Sequence, residues 1–493
     1  MPTRRNVLSL SLVIACSVAT ADSRLTVAQT SKDASVVTIP DTAAGRHLTG
    51  WLKAINSGDP KLIRAFHAAS GAGERAERRA QQDARFYSVT RGLELRKIEQ
   101  STDDEIVALM QANLTEAWYR VSIKAAVESS QGIQISVRTT SNPAPRKLSE
   151  AEMLKALDVY VKKLVAADAF SGTVLVAKNG SPIFTGAYGL ASIAYRAPNR
   201  LDTKFNLGSM NKMFTAVAVA QLAEQGKLAF TDTIGKHLTD YPNKAVADKV
   251  TIDHLLTHSS GIGDYFNDKF MEASRDRFRK IKDYFPLFVD KPLEFEPGSK
   301  FRYSNAGFMV LGAVVERVSG QDYFDYVREH IYKPAGMINT DAYELDRDTP
   351  NLAVGYTNEG EKSGPEDSSR RNNVFMHVIK GGPAGGGYST VEDLLRFDTA
   401  LRQHKLLSAK SADLVMSGKI ASGFSPDAKY GYGFFDERIN GKRIVGHGGG
   451  FPGINSQLDM FLDNGYTVAI MSNYDPPAAQ IVAAKLREMI LQL

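Results

Sequence analysis

Cysteine is almost absent from this chain: Cys16 is the only one in 493 residues. A disulfide framework and a cysteine-based metal site are therefore excluded. After the first twenty or so residues, no apolar run is long enough to span a bilayer. Charge of one sign is scarce too, with 60 Lys and Arg against 55 Asp and Glu for a net charge of +5. That small excess, without a basic run carrying interleaved aromatics, gives no footprint for nucleic acid. Several site motifs are missing. No Gly-Lys-Ser/Thr follows the glycine-rich residues 381–387, so they form no phosphate loop. His254 and His258 have i,i+4 spacing, but no Glu sits beside His254, so both read as structural histidines. No Gly-x-Ser-x-Gly elbow surrounds Ser209, which argues against an α/β-hydrolase. No metal and no cofactor are expected.

What is present is the composition of a soluble globular protein, 43% hydrophobic and 23% charged, long enough for two or more domains. Residues 1–21 read as an export signal: Arg4-Arg5, an apolar stretch over 7–18, then a small-x-small site ending at Ala21. Arg4-Arg5 also fits a weak twin-arginine pattern. A second reading takes Val13-Ile-Ala-Cys16 as a lipobox, leaving Cys16 lipidated as the sole membrane attachment. The expected location is periplasmic or secreted. Residues 22–42 read as a tether and 43–140 as a small domain. In it, helical spacing over 47–57 and the Asp59-Pro60 helix start precede a polar stretch over 72–84, read as a solvated helix or loop. Four alternating runs follow at 93–99, 105–111, 117–126 and 133–137, the period of half-buried antiparallel strands. A Pro-containing linker occupies 141–152, and a last domain 153–493.

The last domain opens with a helix over 154–166 and a hairpin turned at Lys178-Asn-Gly180. It closes with strand-like runs at 431–436, 442–447 and 455–471, the last split at Asp463-Asn-Gly465, and a helix over 478–491. Strands near both ends with helices between imply one antiparallel sheet built from both chain ends, with a helical subdomain inserted.

Three motifs in this domain carry chemistry. Ser209-Met-Asn-Lys212 is the only Ser-x-x-Lys in the chain, and the apolar run 213–222 behind it reads as a buried helix. Serine and lysine then sit one turn apart at the helix start, where a desolvated, neutral lysine can take the hydroxyl proton. Tyr303-Ser-Asn305 follows Pro297-Gly and precedes the apolar run 308–315, placing a phenol and an amide on a loop entering a helix. Tyr241-Pro-Asn243 and Tyr356-Thr-Asn358 match the same pattern without that context. His447-Gly-Gly449-Gly450 removes side chains from a strand edge, where a substrate can lie against backbone and His447 can donate to its carboxylate or carbonyl.

In this order, over about 150–493, these motifs resemble the serine β-lactamase and penicillin-binding-protein superfamily. The branch is that of class C β-lactamases, D-Ala-D-Ala carboxypeptidases, esterases and D-aminopeptidases. The stretches Ile252-Asp-His-Leu-Leu-Thr-His-Ser-Ser-Gly and Gly385-Gly-Gly-Tyr-Ser-Thr add to it. The resemblance implies Ser209 as acylated nucleophile and Lys212 as its activator. It makes Tyr303 the general base or acid, with Asn305, His447, Gly449 and Gly450 binding substrate. The N–H groups of Ser209 and Gly450 would form an oxyanion hole. Whether Lys212 or Tyr303 takes the first proton stays open. His447 stands where many members carry the lysine of Lys-Thr-Gly, and a histidine is only partly charged at pH 7. That points away from an efficient β-lactamase.

The small domain, helices first and then a sheet, with the opening Trp51 to Phe66 stretch, resembles the NTF2-like fold, which implies ligand binding or dimerisation. The expected fold class is thus α+β: a β-lactamase-like antiparallel sheet flanked by helices, a helical subdomain, and a small NTF2-like α+β domain ahead. The expected function is an exported serine hydrolase of peptidase, D-aminopeptidase or esterase type, acting on a small-molecule or peptide substrate. The alternatives are a class C-like β-lactamase and a non-catalytic β-lactam or peptidoglycan sensor. Homodimerisation would run through the N-terminal domain.

Overall fold

The computed structural model describes residues 37–125, 132–358, 370–425 and 427–493. The expected signal with its cleavage at Ala21, Cys16, and the tether as far as residue 36 lie outside the described residues. Among the described residues no helix is long and apolar enough to cross a membrane.

Residues 43–140 form helices Ala43–Ser57, Pro60–Ala69 and Ala76–Thr90, then a sheet of four consecutive antiparallel strands. The first helix is capped by Thr42, whose side chain accepts from the Gly45 N–H, so it starts four residues before the expected 47. Asp59 caps the second through the Lys61 N–H, with Pro60 at its first position. The polar stretch at 72–84 is a short turn followed by a full helix, Ala76–Thr90. Its apolar period is weak because its contact with the interior is polar. Asp83 accepts from the Trp51 indole at 2.8 Å and bonds the buried His67 Nε2 at 2.8 Å. The strands are Leu93–Ser101, Glu105–Ala112, Trp118–Lys124 and Gln134–Thr140, and this module has its own hydrophobic cluster around Leu48, Trp51, Ile106 and Val121.

The helix Glu150–Ala166 starts inside the expected linker, because Ser149 and Glu152 form a capping box. The large sheet has eight antiparallel strands. In spatial order they are Ile420–Ala421, Ala428–Tyr430, Phe435–Ile439, Lys442–Phe451, Ile454–Phe461, Tyr466–Ser472, Gly172–Lys178 and Ser181–Tyr188. The two chain ends meet where Ser472 pairs with Gly172 and Tyr466 with Lys178. The hairpin turns at Asn179 and Gly180, both at positive φ, 50° and 79°. The expected strand at 431–436 is displaced. Two short strands flank a tight turn closed by the Gly431 N–H on the Phe434 carbonyl, and glycines at 431 and 433 favour the turn over the strand.

The central strands are buried on both faces, so they read as apolar runs without polar alternation. The period of two sorts their side chains. Val174, Val176, Val468 and Ile470 face one cluster with the helices Glu150–Ala166 and Ala478–Ile490. Leu175, Ala177, Ala469 and Met471 face the other, larger cluster, which includes the helix Asn211–Glu224 and the inserted helices. Every residue from Asn211 to Leu222 is buried. A helix apolar all round belongs in a core, and this one is sandwiched between the sheet and the helical insertion. Its start is where the two meet.

Candidate active site

Ser209 lies in a single 3-10 turn, Gly208–Met210, leading into the helix Asn211–Glu224. The turn is anchored on three sides. The Leu207 N–H donates to the Gly387 carbonyl at 2.9 Å and the Gly386 N–H to the Gly208 carbonyl at 3.0 Å. The Ser456 hydroxyl donates to the Leu207 carbonyl at 2.7 Å, and the Asn206 side chain accepts from the Gly208 N–H at 2.9 Å. Gly208 has φ +53°, and a Cβ there would come within 3.0 Å of the Gly449 Cα. A Cβ on Gly449 would lie 2.1 Å from the Leu207 carbonyl oxygen. The glycines therefore let the turn and the strand Lys442–Phe451 touch backbone to backbone.

Lys212 is completely buried. Its Nζ donates to Ser209 Oγ at 3.2 Å, to Asn305 Oδ1 at 2.8 Å, and to the Ala384 carbonyl. It also sits 4.7 Å from the centre of the Tyr303 ring. Burial drives its pKa down from the ordinary lysine value to about 7, with nearby Asp264 pulling weakly the other way. Tyr303 is bonded to Ser209 through its phenol, and burial pushes its pKa well above the ordinary tyrosine value. The phenol thus holds its proton where the lysine readily releases one.

Asn305 opens the helix Asn305–Ser319, capped by Ser304. Its Nδ2 donates to Asp264 Oδ2 at 2.8 Å and its backbone N–H to the same oxygen at 3.1 Å. A carboxylate accepts only, so Asp264 fixes the amide with its oxygen toward Lys212. Asp264 stands in no motif, and nothing in the sequence marked it. The residues 381–387, which lack the phosphate-loop pattern, are also part of the site. The Gly382, Pro383 and Ala384 carbonyls accept from Asn211, Thr215 and Lys212, clamping the first turn of the helix behind Ser209.

His258 braces the site from behind. Its Nδ1 accepts the Ser304 N–H at 3.1 Å, and its ring stacks on Tyr303 with centroids 4.1 Å apart. Burial, with Lys212 and His447 close by, pushes its pKa well below the ordinary value, so the ring is neutral. His254 instead accepts the Thr251 N–H in a helix cap.

The strand Lys442–Phe451 pairs with Phe435–Ile439 only as far as Gly446, but with Ile454–Phe461 as far as Phe451. Residues 447–451 thus keep one flank toward the turn that carries Ser209. Two expectations need correction here. His447 is buried, with its Nδ1 on the Gly448 carbonyl at 2.5 Å and its Nε2 on the Tyr430 hydroxyl at 3.1 Å. Burial, with Lys212 nearby, lowers its pKa to about 3, so it is neutral and not partly charged. Both ring nitrogens are engaged and it does not line the cavity, so it is not placed to bind a substrate carboxylate. Gly449 does not line the cavity either; it packs under Leu207, and its carbonyl accepts from Asn455 at 2.8 Å. Gly450 does line it.

The cavity holds about 220 Å³ and is open to solvent. Ser209, Tyr303, Asn305 and Gly450 reach it, and Tyr265, Phe266, Phe270, Val378, Ile379 and Phe451 make an apolar wall. Among the described residues no Asp, Glu, Lys or Arg lines it. Asn305, Ser209, Lys212 and Tyr303, from segments nearly a hundred residues apart, are within hydrogen-bond or ring-contact distance of one another.

The family model described as Beta-lactamase matches residues 157–490, which leaves the N-terminal module outside the match. Penicillin-binding protein 4* of Bacillus subtilis (strain 168) is 30% identical over 330 residues, covering 65% of this chain and 71% of that protein. The crystal structure of a penicillin binding protein from Bacillus halodurans superposes with a TM-score of 0.59 at 31% identity, covering 69% of this chain and 98% of that one. A D-stereospecific amidohydrolase from Streptomyces sp. superposes with a TM-score of 0.56 at 26% identity, covering 68% and 98%. With a Ser–Lys pair at the start of a core helix, its lysine fully buried, and a matching model over two thirds of its length, the chain belongs to the Beta-lactamase family and is a serine hydrolase of the β-lactamase and penicillin-binding-protein-like type.

Proposed function

We propose that the protein cleaves an ester or amide bond in an apolar, uncharged substrate through an acyl-enzyme on Ser209. The observation that carries this is the fully buried Lys212 Nζ at 3.2 Å from Ser209 Oγ. In the proposed cycle neutral Lys212 takes the Ser209 proton as Oγ attacks the carbonyl carbon. The negative oxygen that forms is held by the N–H groups of Ser209 and Gly450. Collapse breaks the bond to the leaving nitrogen or oxygen, which receives a proton relayed through the Tyr303 phenol. Water then attacks the acyl-enzyme, passes its proton back through the same groups and releases the acid.

Peptidase and β-lactamase readings call for a partner to a substrate carboxylate. Among the described residues the cavity wall offers no cation, and His447 is neutral and turned away. That favours esters and amides without a free carboxylate, the type the Streptomyces amidohydrolase name also fits. The test is labelling with a fluorescent penicillin and with a fluorophosphonate, read by mass spectrometry, on the protein and on Ser209→Ala. Fluorophosphonate labelling of Ser209, with turnover of small neutral esters abolished by the substitution, is expected. Intact ester turnover in Ser209→Ala would sink the proposal, and preferential turnover of penicillin would favour the β-lactamase alternative.

A further inference from the structure

The apolar wall of the cavity does not stop at its rim. Phe266 lines the cavity and stacks on Phe451, with centroids 6.0 Å apart and planes 27° apart, yet it is 38% exposed. Five residues on, Met271 is 60% exposed. In a second segment Val378 and Ile379 line the cavity, and just before them Val374 and Phe375 are 42% and 90% exposed. One guanidinium ties the two segments together. Arg275 donates to the Met271 carbonyl at 3.5 Å, the Ala273 carbonyl at 2.6 Å and the Met376 carbonyl at 3.3 Å, while its plane lies over Phe270 at 4.2 Å. The Ile379 N–H returns a bond to the Arg275 carbonyl at 3.4 Å. Large apolar side chains in water, gathered beside a reaction centre, mark a binding surface.

The cavity is small for its task. Closed ligand sites run to about 300–1,000 Å³, so a space of about 220 Å³ encloses only the atoms around the scissile bond. The remainder of a substrate must leave by the mouth, over this surface. We infer that Phe266, Met271, Val374 and Phe375 bind the apolar chain of an extended acyl substrate, so that chain length governs specificity. The inference rests on the acyl-hydrolase reading above, and its test separates the two.

The measurement is kcat/KM for para-nitrophenyl esters from acetyl to octanoyl, each below its aggregation concentration. It is made for the protein and for the double variant Met271→Ser, Phe375→Ser. Complete burial of a methylene is worth up to about fourfold, and a half-open surface gives less. The octanoyl-to-acetyl ratio is expected to reach at least about tenfold and to fall most of the way to unity in the variant. A flat series, or the same slope in the variant, overturns the inference while leaving acetyl turnover through Ser209 intact. Should neither these esters nor the matching para-nitroanilides be turned over, the acyl-hydrolase reading fails. Calorimetric binding of methyl octanoate against methyl acetate to Ser209→Ala then tests the surface alone, equal affinities counting against it.

Discussion

Lys212 is held where its charge is least favoured. Among the described residues its contacts are three oxygens of neutral groups and two ring faces. The pKa of about 7 follows from that burial. The sign of the pH dependence follows in turn. Below that value the amine is an ammonium and cannot take the Ser209 proton; above it the neutral form dominates. The expected kcat/KM for a neutral ester rises about tenfold per pH unit below pH 6 and levels off above about pH 8. A pH–rate profile with a stopped assay checks this. A profile already flat from pH 5 would show that the lysine is not the proton acceptor. Lys212 and Ser209 are legible in the sequence because an i,i+3 pair on a helix needs no tertiary information. Asp264 and His258 are not. Each acts by touching a residue about forty positions away, Asn305 or Tyr303, and leaves no local pattern.

At the scale of elements, the site is a contact between one 3-10 turn and one strand. Glycine is required at 449 because Leu207 occupies the space a side chain would take. Gly449→Ala is expected to push the strand off the nucleophile turn, displacing the Gly450 N–H from the Ser209 hydroxyl. The cost of such overpacking is about 1–3 kcal/mol. The measurable result is a lowered urea midpoint together with at least a tenfold drop in kcat/KM. A variant that loses activity with stability unchanged would show that the contact orients the site without straining the fold. The glycine triplet was visible in the sequence as a strand without side chains. Its use differs: Gly449 permits packing, Gly450 meets the cavity, and His447 points into the protein. Alternation along a strand determines that neighbours face opposite ways, but only the sheet tells which way is the cavity.

Across the whole molecule, the N-terminal module is docked on the hydrolase through the loop after its second strand. Leu114 is buried in the cluster shared with Met153, Leu157 and Leu486. The Tyr160 hydroxyl donates to the Thr115 carbonyl at 2.9 Å, and Glu116 pairs with Lys163 at 3.0 Å and Lys485 at 3.3 Å. These lysines and the burial they oppose leave the Glu116 pKa below the ordinary value. Leu114→Ala is expected to cost about 2–5 kcal/mol, read as a lower first transition in calorimetry. An unchanged thermogram would show that the module is joined by chain alone.

By itself the sequence determined most of the elements and singled out Ser209 with Lys212 as the candidate reactive pair. Apolar periods placed the strands at 105–111 and 442–447 and the core helix behind Ser209, because burial of one face or of all faces writes itself into local order. The polar stretch at 72–84 stayed open between helix and loop, because its partners are distant: the helix Ala76–Thr90 gains its place through Asp83 on Trp51 and His67. Only the tertiary structure decided that Lys212 is dry, that Asp264 turns Asn305 toward it, and that His447 is neutral and occupied. Burial and electrostatics are sums over neighbours from the whole chain, and one stretch of sequence holds only its own share of them.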